Sequence, residues 1–429
     1  MTPPAANGGM RASVIGLGRI GAPLAACLAA GGLEVVGVDV DRRRVDALNA
    51  GRAPVAEPGL AELLASGPAL RATTSVAEAV AASDVTFVTV PTPAEPDGSL
   101  SARHVLAAAE ELGRALAGKR TGHVVAITST VMPGSVGGPV TAAITAAAGR
   151  EREPGIAVAF VPEFVALGSA IADFLAPDFV LIGEPYPGAA PELDELFRVV
   201  CRNEPPILRT GLIEAELAKL AINAFLATKV TFGNALAAVA LRLGCDADAV
   251  SAILGRDRRI APGYLTGGLP FGGPCLPRDT GALASLARAH DADPTLWDTV
   301  LDANARTLAG LVDEVTTTLP VGGTVGIYGL AFKPGVPVTE ASPAAELASA
   351  LALRGARTVA FDPALDRRSI EALGPSVEAA PSLEDCVARA DVLVLAAPLE
   401  GARLDALRLN GAPTVIDCWR SLRRAGSAA

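Results

Sequence analysis

The segment Pro270-Phe271-Gly272-Gly273-Pro274-Cys275-Leu276-Pro277-Arg278-Asp279 concentrates unusual chemistry. Two glycines and two prolines bracket a thiol, giving a rigid loop whose backbone a ligand can approach closely. Asp279 follows four residues later, suited to orient a proton or a water. In AELAKLAINAFLATKVTFGNAL, Lys219 and Asn223 stand at i and i+4 and stack on one helical face. Asn234, eleven residues beyond Asn223, is close to three full turns away and falls near the same face. A mostly apolar helix that aligns an ammonium with two amides either caps something internal or lines a site. Lysine is scarce here: of 36 basic residues only Lys119, Lys219, Lys229 and Lys333 are lysines. Lys219 and Lys333 lie in chemically loaded segments, whereas Lys229 reads as an ordinary solvated side chain.

Gly16-Leu17-Gly18-Arg19-Ile20-Gly21 fits G-x-G-x-x-G directly after an apolar strand and before a helix. The first glycine permits a tight turn, the second admits a pyrophosphate, and the third lets helix and strand pack closely. Asp39 lies 23 residues after Gly16 at the end of a second apolar strand, where a carboxylate would bind a ribose 2′-hydroxyl and repel a 2′-phosphate. NAD is therefore favoured over NADP. The competing reading is a glycine turn in a nucleotide-free α/β domain. Pro91, Thr92 and Thr130 sit at strand ends where such a cofactor would lie. A thiolate at Cys275 beside NAD suggests oxidation through a thiohemiacetal and a thioester. The bland alternative for any cysteine is a small buried hydrophobe, which is the reading for Cys27, Cys245 and Cys386 in apolar helical patterns.

The elements that must hold these groups follow from the pattern. RASVIG, EVVGVDVD, DVTFVTVPTP, HVVAITSTV and IAVAFVPEF are β-rich runs separated by Ala-rich helical stretches, as in a parallel doubly wound sheet. From about Gly211 to Leu311 no convincing strand is found. Periodicity from Ile213 to Leu243 supports one long helix with Gly244 as its C-cap. Strands return in TVGIYGLAFKPG, RTVAFDP, ADVLVLAAP and PTVIDCWR, and SDVTFVTVPTP and VVGVDV are echoed by ADVLVLAAPLE and TVAFDP. The expected fold class is α/β: two Rossmann-like doubly wound domains joined by a central helical region with one long helix. The expected divisions are a disordered tail at 1–10, an NAD-binding domain at 11–205, a helical core at 206–312 and a second Rossmann-like domain at 313–429.

The 429 residues are 50% hydrophobic and 19% charged, which excludes a disordered or collagenous chain. A net charge of −10 without a basic, aromatic-interleaved run argues against nucleic acid or an anionic membrane as partner. The six cysteines show no CxxC spacing, and His104, His123 and His290 pair with no ligand set, so no metal is expected and these histidines read as structural. The N-terminus lacks the features of a signal peptide. Thr121–Gly149 carries no charged side chain, but its Thr, Ser, Pro133 and glycines read as strand, turn and helix. A soluble, cytoplasmic protein is expected.

Together these pieces resemble the UDP-glucose 6-dehydrogenase family of the UDP-glucose/GDP-mannose dehydrogenase superfamily. GLGRIG, VDVD, VPTP, STV, PEF, AELAKLAINAFLATKVTFGN, RDRRI, FGGPCLPRD, YGLAFKPG with SPA, FDP and ADVLVL run in family order over nearly the whole chain. The resemblance implies two NAD-dependent oxidations that turn a sugar C6 alcohol into a carboxylate, in a homodimer or larger homo-oligomer acting on a nucleotide sugar. It implies that Cys275 attacks the aldehyde, that Lys219 and Asn223 stabilise the oxyanion, that Asp279 and Thr130 act on a water, and that Glu163 is a further acid or base. Gly16, Gly18, Arg19, Ile20, Gly21, Asp39, Pro91, Thr92, Thr130 and Arg278 would hold NAD. Phe164, Lys219, Asn223, Arg259, Tyr264, Leu265, Phe271, Gly272 and Lys333 would bind the sugar nucleotide.

The chain departs from the family pattern at Val161 and Leu167 around PEF, at Arg278, and at Pro337, Val338 and Glu340 after GLAFKP. In Asp417-Cys418-Trp419-Arg420 the arginine of an expected D-x-R is displaced by one. UDP-glucose is the leading substrate, with dTDP-glucose, GDP-mannose or a UDP-amino sugar as alternatives. A two-electron hydroxyacid-type dehydrogenase shares the plan but needs neither the Cys275 loop nor a second Rossmann domain. A non-catalytic sugar-nucleotide sensor has no reason to keep Cys275, Lys219 and Asp279 together.

Overall fold

In the computed structural model residues 9–67, 69–149, 155–399 and 413–422 are described. Most of the expected N-terminal tail therefore lies outside the described residues. The chain divides into two compact units, residues 1–220 and 221–429.

In the first unit the apolar runs become β1 (Arg11–Ile15), β2 (Glu34–Val38), β3 (Leu70–Thr73), β4 (Val85–Val88), β5 (His123–Ile127), β6 (Ile156–Phe160), β7 (Val180–Glu184) and β8 (Ile207–Gly211). They form one sheet in the order β3-β2-β1-β4-β5-β6-β7-β8. Neighbours run parallel except β6 and β7. Helices cover both faces, so Phe87, Leu28 and Ile182 are buried in one core and Val88, Ile127 and Phe160 in another. Burial on both faces is why the strands read as unbroken apolar runs. The uncharged stretch after residue 120 is strand β5, a turn and the helical stretch Val136–Ala148, as expected.

The helix Leu212–Leu243 runs on into the second unit and stops at Gly244, whose φ of +68° only glycine adopts cheaply. Among the described residues it is long and apolar enough to span a membrane by length and composition. The helices Ala247–Arg256, Leu276–Ala289 and Thr295–Thr318 follow. Then β9 (Thr324–Tyr328), β10 (Arg357–Phe361), β11 (Val377–Ala379), β12 (Val392–Leu395) and β13 (Thr414–Asp417) form a parallel sheet in the order β11-β10-β9-β12-β13.

The sequence echo between the two ends is structural. In the first unit Asp39 Oδ2 accepts from the Leu17 amide at 2.7 Å; in the second, Asp362 Oδ2 accepts from Leu330 and Ala331 at 2.7 and 2.9 Å. Gly16 and Gly329 turn the chain with φ of +95° and +85°. A buried carboxylate after the second strand thus ties down the glycine turn after the first in each sheet.

Cys27 and Cys386 are fully buried, and burial pushes both thiols up to about 12. Cys245 corrects its expectation. It follows Gly244 beyond the helix end and is exposed, because the helical apolar pattern stops one residue earlier.

Candidate active site

The glycine turn in the first unit is built to receive a dinucleotide. A Cβ at Gly21 would sit 1.8 Å from the Gly16 carbonyl oxygen and 2.3 Å from Thr89 Oγ1, so only glycine lets the helix Gly21–Ala30 start this close to β1. A Cβ at Gly18 would meet nothing within 4 Å, leaving open space where a phosphate would approach. Asp39 is 6% exposed; its Oδ1 accepts from the Asp41 amide at 2.8 Å, and its Oδ2 also takes Arg44 Nη1 at 3.1 Å. With three of about four lone-pair directions taken, one is left for a ribose hydroxyl. Val40, 98% exposed beside it, offers an apolar surface that the motif reading did not consider. Thr92 and Thr130 are buried, while Arg19 and Pro91 are exposed.

Lys219 is 4% exposed. Its Nζ donates to the Glu163 carbonyl at 2.5 Å, lies 3.6 Å from Glu163 Oε1, and sits 5.0 Å from the centroid of the Phe164 ring. A buried ammonium is tolerable only with such partners. Glu163 Oε2 also accepts from the Val165 amide at 3.0 Å, fixing the turn after Pro162. One turn back on the same helix, Glu216 is fully buried and accepts from the amides of Gly134 and Val136 at 2.6 and 2.8 Å. Burial raises its pKa against those two amides. Glu216 anchors the segment just after Thr130, and its place three residues before Lys219 was the available signal.

In the second unit Cys275 is the N-cap of the helix Leu276–Ala289, with Pro277 in the first turn, and is exposed. Cys275 thus stands at the positive end of that helix, the polarity that favours a thiolate nucleophile. Asp279 is fully buried. It accepts from Asn223 Nδ2 at 2.6 Å and from Arg278 Nε and Nη2, each at 2.7 Å. Arg278, expected to hold NAD, is thus committed to Asp279 in this state. An amide and a guanidinium thus satisfy the buried carboxyl group's hydrogen-bonding capacity from within the protein.

The loop leading to Cys275 has its backbone read out by side chains. Asn234 Oδ1 accepts from the Gly268 amide at 2.7 Å, and its Nδ2 donates to the Leu269 carbonyl at 3.1 Å. Asn304 does the same for Phe271, accepting from its amide and donating to its carbonyl, both at 2.8 Å. Asn234 therefore braces the loop, and Asn304 was not foreseen. A Cβ at Gly272 would meet the Ala341 carbonyl oxygen at 2.3 Å, and one at Gly273 would meet Phe332 at 2.6 Å. FGG thus packs on the GLAFKPG-to-SPA segment that contains Lys333. Lys229 is no bystander: its Nζ donates to the carbonyls of Ile260 and Ala261 at 3.1 and 3.2 Å. Leu265 and Phe271 are buried, Tyr264 is half exposed at φ +64°, and Arg259 is exposed and paired with Asp257.

Three domain models of the UDP-glucose/GDP-mannose dehydrogenase family match: its NAD binding domain over residues 10–201, its central domain over 213–306, and its UDP binding domain over 326–424. The chain belongs to the UDP-glucose/GDP-mannose dehydrogenase family. A UDP-glucose 6-dehydrogenase of Haloferax volcanii is 38% identical over 392 residues, 90% of this chain and 91% of the relative. A GDP-mannose 6-dehydrogenase of Azotobacter vinelandii is 35% identical over 90% of this chain and 91% of its own. The solved UDP-glucose dehydrogenase of Pyrobaculum islandicum is similar at a TM-score of 0.89 and 36% identity, covering 99% and 97% of the two chains. This dehydrogenase is an NAD-dependent enzyme of nucleotide sugars, and its glycine turn, Gly18 opening and Asp39 fit that cofactor.

Proposed function

We propose that this dehydrogenase oxidises the C6 hydroxyl of UDP-glucose to the carboxylate in two steps, giving UDP-glucuronate. Two NAD molecules, bound in turn, would supply the hydride acceptors, one for each oxidation. The observation that carries the reading is Cys275 at a helix N-cap, followed in the same helix by a buried Asp279 bonded to Asn223. In the first oxidation C6 gives up a hydride and its hydroxyl gives up a proton, leaving an aldehyde. The Cys275 thiolate then adds to the aldehyde carbon, forming an S–C bond and an oxyanion that Lys219 and Asn223 stabilise. Loss of a second hydride from C6 of the thiohemiacetal oxyanion gives a thioester. Water, oriented by Asp279 with Thr130, cleaves the S–C bond, releases the carboxylate and returns the thiol. Glu163 is the further proton carrier.

In this reading residues 11–205 hold NAD through Gly16, Gly18, Arg19, Ile20, Gly21, Asp39, Pro91, Thr92 and Thr130, with Arg278 added from outside that domain. Residues 206–312 form the helical core, and 313–429 bind the nucleotide. Phe164, Arg259, Tyr264, Leu265, Phe271, Gly272 and Lys333 join Lys219 and Asn223 around the sugar nucleotide. The working form is a cytoplasmic homodimer. Ile213, Leu217, Phe225, Phe232, Val239 and Leu243 are exposed along the long helix, three of them at seven-residue spacing, which suits a second copy of the same helix.

The choice of UDP-glucose rests on the relatives named for it; the relatives named for GDP-mannose favour the second reading. Mass spectrometry of products from UDP-glucose, dTDP-glucose, GDP-mannose and UDP-N-acetylhexosamines separates them. UDP-glucuronate as the dominant product supports the proposal, and a dominant GDP-mannuronate replaces it.

A further inference from the structure

Arg420 follows β13 with φ +55°, a backbone conformation that an arginine enters only when its surroundings hold it there. Its Nη2 and Nε bond Asp248 Oδ1 and Oδ2 at 2.7 and 3.1 Å, and Nη2 also donates to the Gly267 carbonyl at 2.6 Å. The preceding residue grips the next glycine. Trp419 Nε1 donates to the Ala396 carbonyl at 2.8 Å, and its indole lies so close to Gly268 that a Cβ there would come within 2.7 Å. Two consecutive residues at the end of β13 therefore hold two consecutive glycines of the loop that runs on to Cys275. Asn234 completes the grip from the long helix through the Gly268 amide.

We propose that Arg420 is a positioning residue for the sugar nucleotide: with Asp248 it fixes the Gly267–Gly273 loop to the C-terminal sheet, so that nucleotide held by that sheet is kept in register with Cys275. The proposal rests on the reading that Cys275 is the nucleophile and UDP-glucose the substrate. The planar guanidinium is needed because it makes two bonds to one carboxylate and a third to a carbonyl, which an ammonium cannot reproduce in the same plane. Asp248, in the first turn of the helix Ala247–Arg256, is the anchor on the other side.

The test compares wild type with R420A, R420K and D248A in the full-length enzyme. Three readouts are taken: KM and kcat for UDP-glucose, KM for NAD, and the UDP-glucose concentration that half-protects Cys275 from iodoacetamide. Expected for R420A and D248A is a rise of about tenfold in both KM for UDP-glucose and the half-protection concentration. KM for NAD stays within twofold, and the melting temperature stays within a few degrees. R420K recovers only part of the loss. Unchanged KM and protection in R420A overturn the proposal. So does a parallel rise in both KM values with a matching fall in melting temperature, because that is a general loss of structure. Wild type isolates the underlying reading: if UDP-glucose neither turns over nor protects Cys275 there, the reading of substrate and nucleophile has failed, and the variants are not the cause.

Discussion

Asn223 Nδ2 donates to Asp279 Oδ2 across 2.6 Å, joining the long helix to the helix that begins at Cys275. Asp279 is fully buried, and its carboxyl group is bonded by Asn223 and Arg278. Removing one partner leaves the buried Asp279 carboxyl group short of a hydrogen bond and free to turn. Asn223→Ala is expected to lower kcat by about 10²–10³-fold, as losing one preorganised oxyanion donor does, with KM for NAD nearly unchanged. Steady-state kinetics at saturating NAD checks it; a loss confined to KM would contradict the oxyanion role.

Asp279→Asn removes the group proposed to direct water at the thioester. Turnover should fall by about 10²-fold or more, the usual scale of general acid–base loss, while covalent enzyme accumulates. Intact-mass spectrometry after quenching should show the uronyl adduct on the protein. An unmodified mass at the same low rate would place Asp279 in an earlier step.

The cofactor preference rests on Asp39, whose two oxygens also tie down the Leu17 and Asp41 amides. Asp39→Asn keeps one acceptor oxygen for the Leu17 amide, turns an NH2 donor toward the Asp41 amide, and drops the charge that repels a 2′-phosphate and pairs Arg44. The NAD-to-NADP ratio of kcat/KM should fall by roughly tenfold or more, in line with one charged hydrogen bond. An unchanged ratio would mean that discrimination lies elsewhere.

How far such groups were legible in the sequence depends on how local their spacing is. Asp39, Lys219, Asn223 and the Cys275 loop announce themselves because one turn or one helix face sets the whole arrangement. Glu216 and Asn304 are harder to read: each serves backbone groups more than thirty positions away, and only the place of Glu216 three residues before Lys219 hints at a role. Asn234 was legible as an oddity on an apolar face, but its partners Gly268 and Leu269 were not. Strands β3 and β8, polar and short at the sheet's edges, lacked the doubly buried pattern that exposed β1, β4 and β5. Lys119 belongs with the hidden set, since it serves a buried network at the opposite ends of the strands.

In that network Lys119 Nζ donates to His123 Nδ1 at 2.9 Å, leaving Nε2–H for Thr86 Oγ1 at 2.7 Å. Burial, aided by the Lys119 charge, lowers the His123 pKa from its usual 6.5 to about 3. A depressed folded pKa means that the imidazole's contribution is complete above pH 6.5 and is lost as pH falls toward 3. Urea denaturation should show stability declining in that window with a histidine component of at most about 1.4 kcal/mol per pH unit. His123→Gln should flatten the slope; an identical slope in the variant would place the acid sensitivity in other groups.

The exposed apolar stripe on the long helix predicts self-association. Replacing Phe225 and Phe232 with Glu should convert a dimer to a monomer in size-exclusion chromatography with light scattering, because paired charges replace apolar area. A wild-type monomer at micromolar concentration would contradict this assignment.

The central claim is that one thiol carries the second oxidation. Counting NADH formed per UDP-glucose consumed, in wild type and in Cys275→Ser, tests it most directly. The account predicts two equivalents and UDP-glucuronate from wild type. It predicts that the serine variant, with its poor nucleophile, fails to carry the sugar through the second oxidation at a comparable rate. One equivalent from wild type, or two from the serine variant at an undiminished rate, would contradict it.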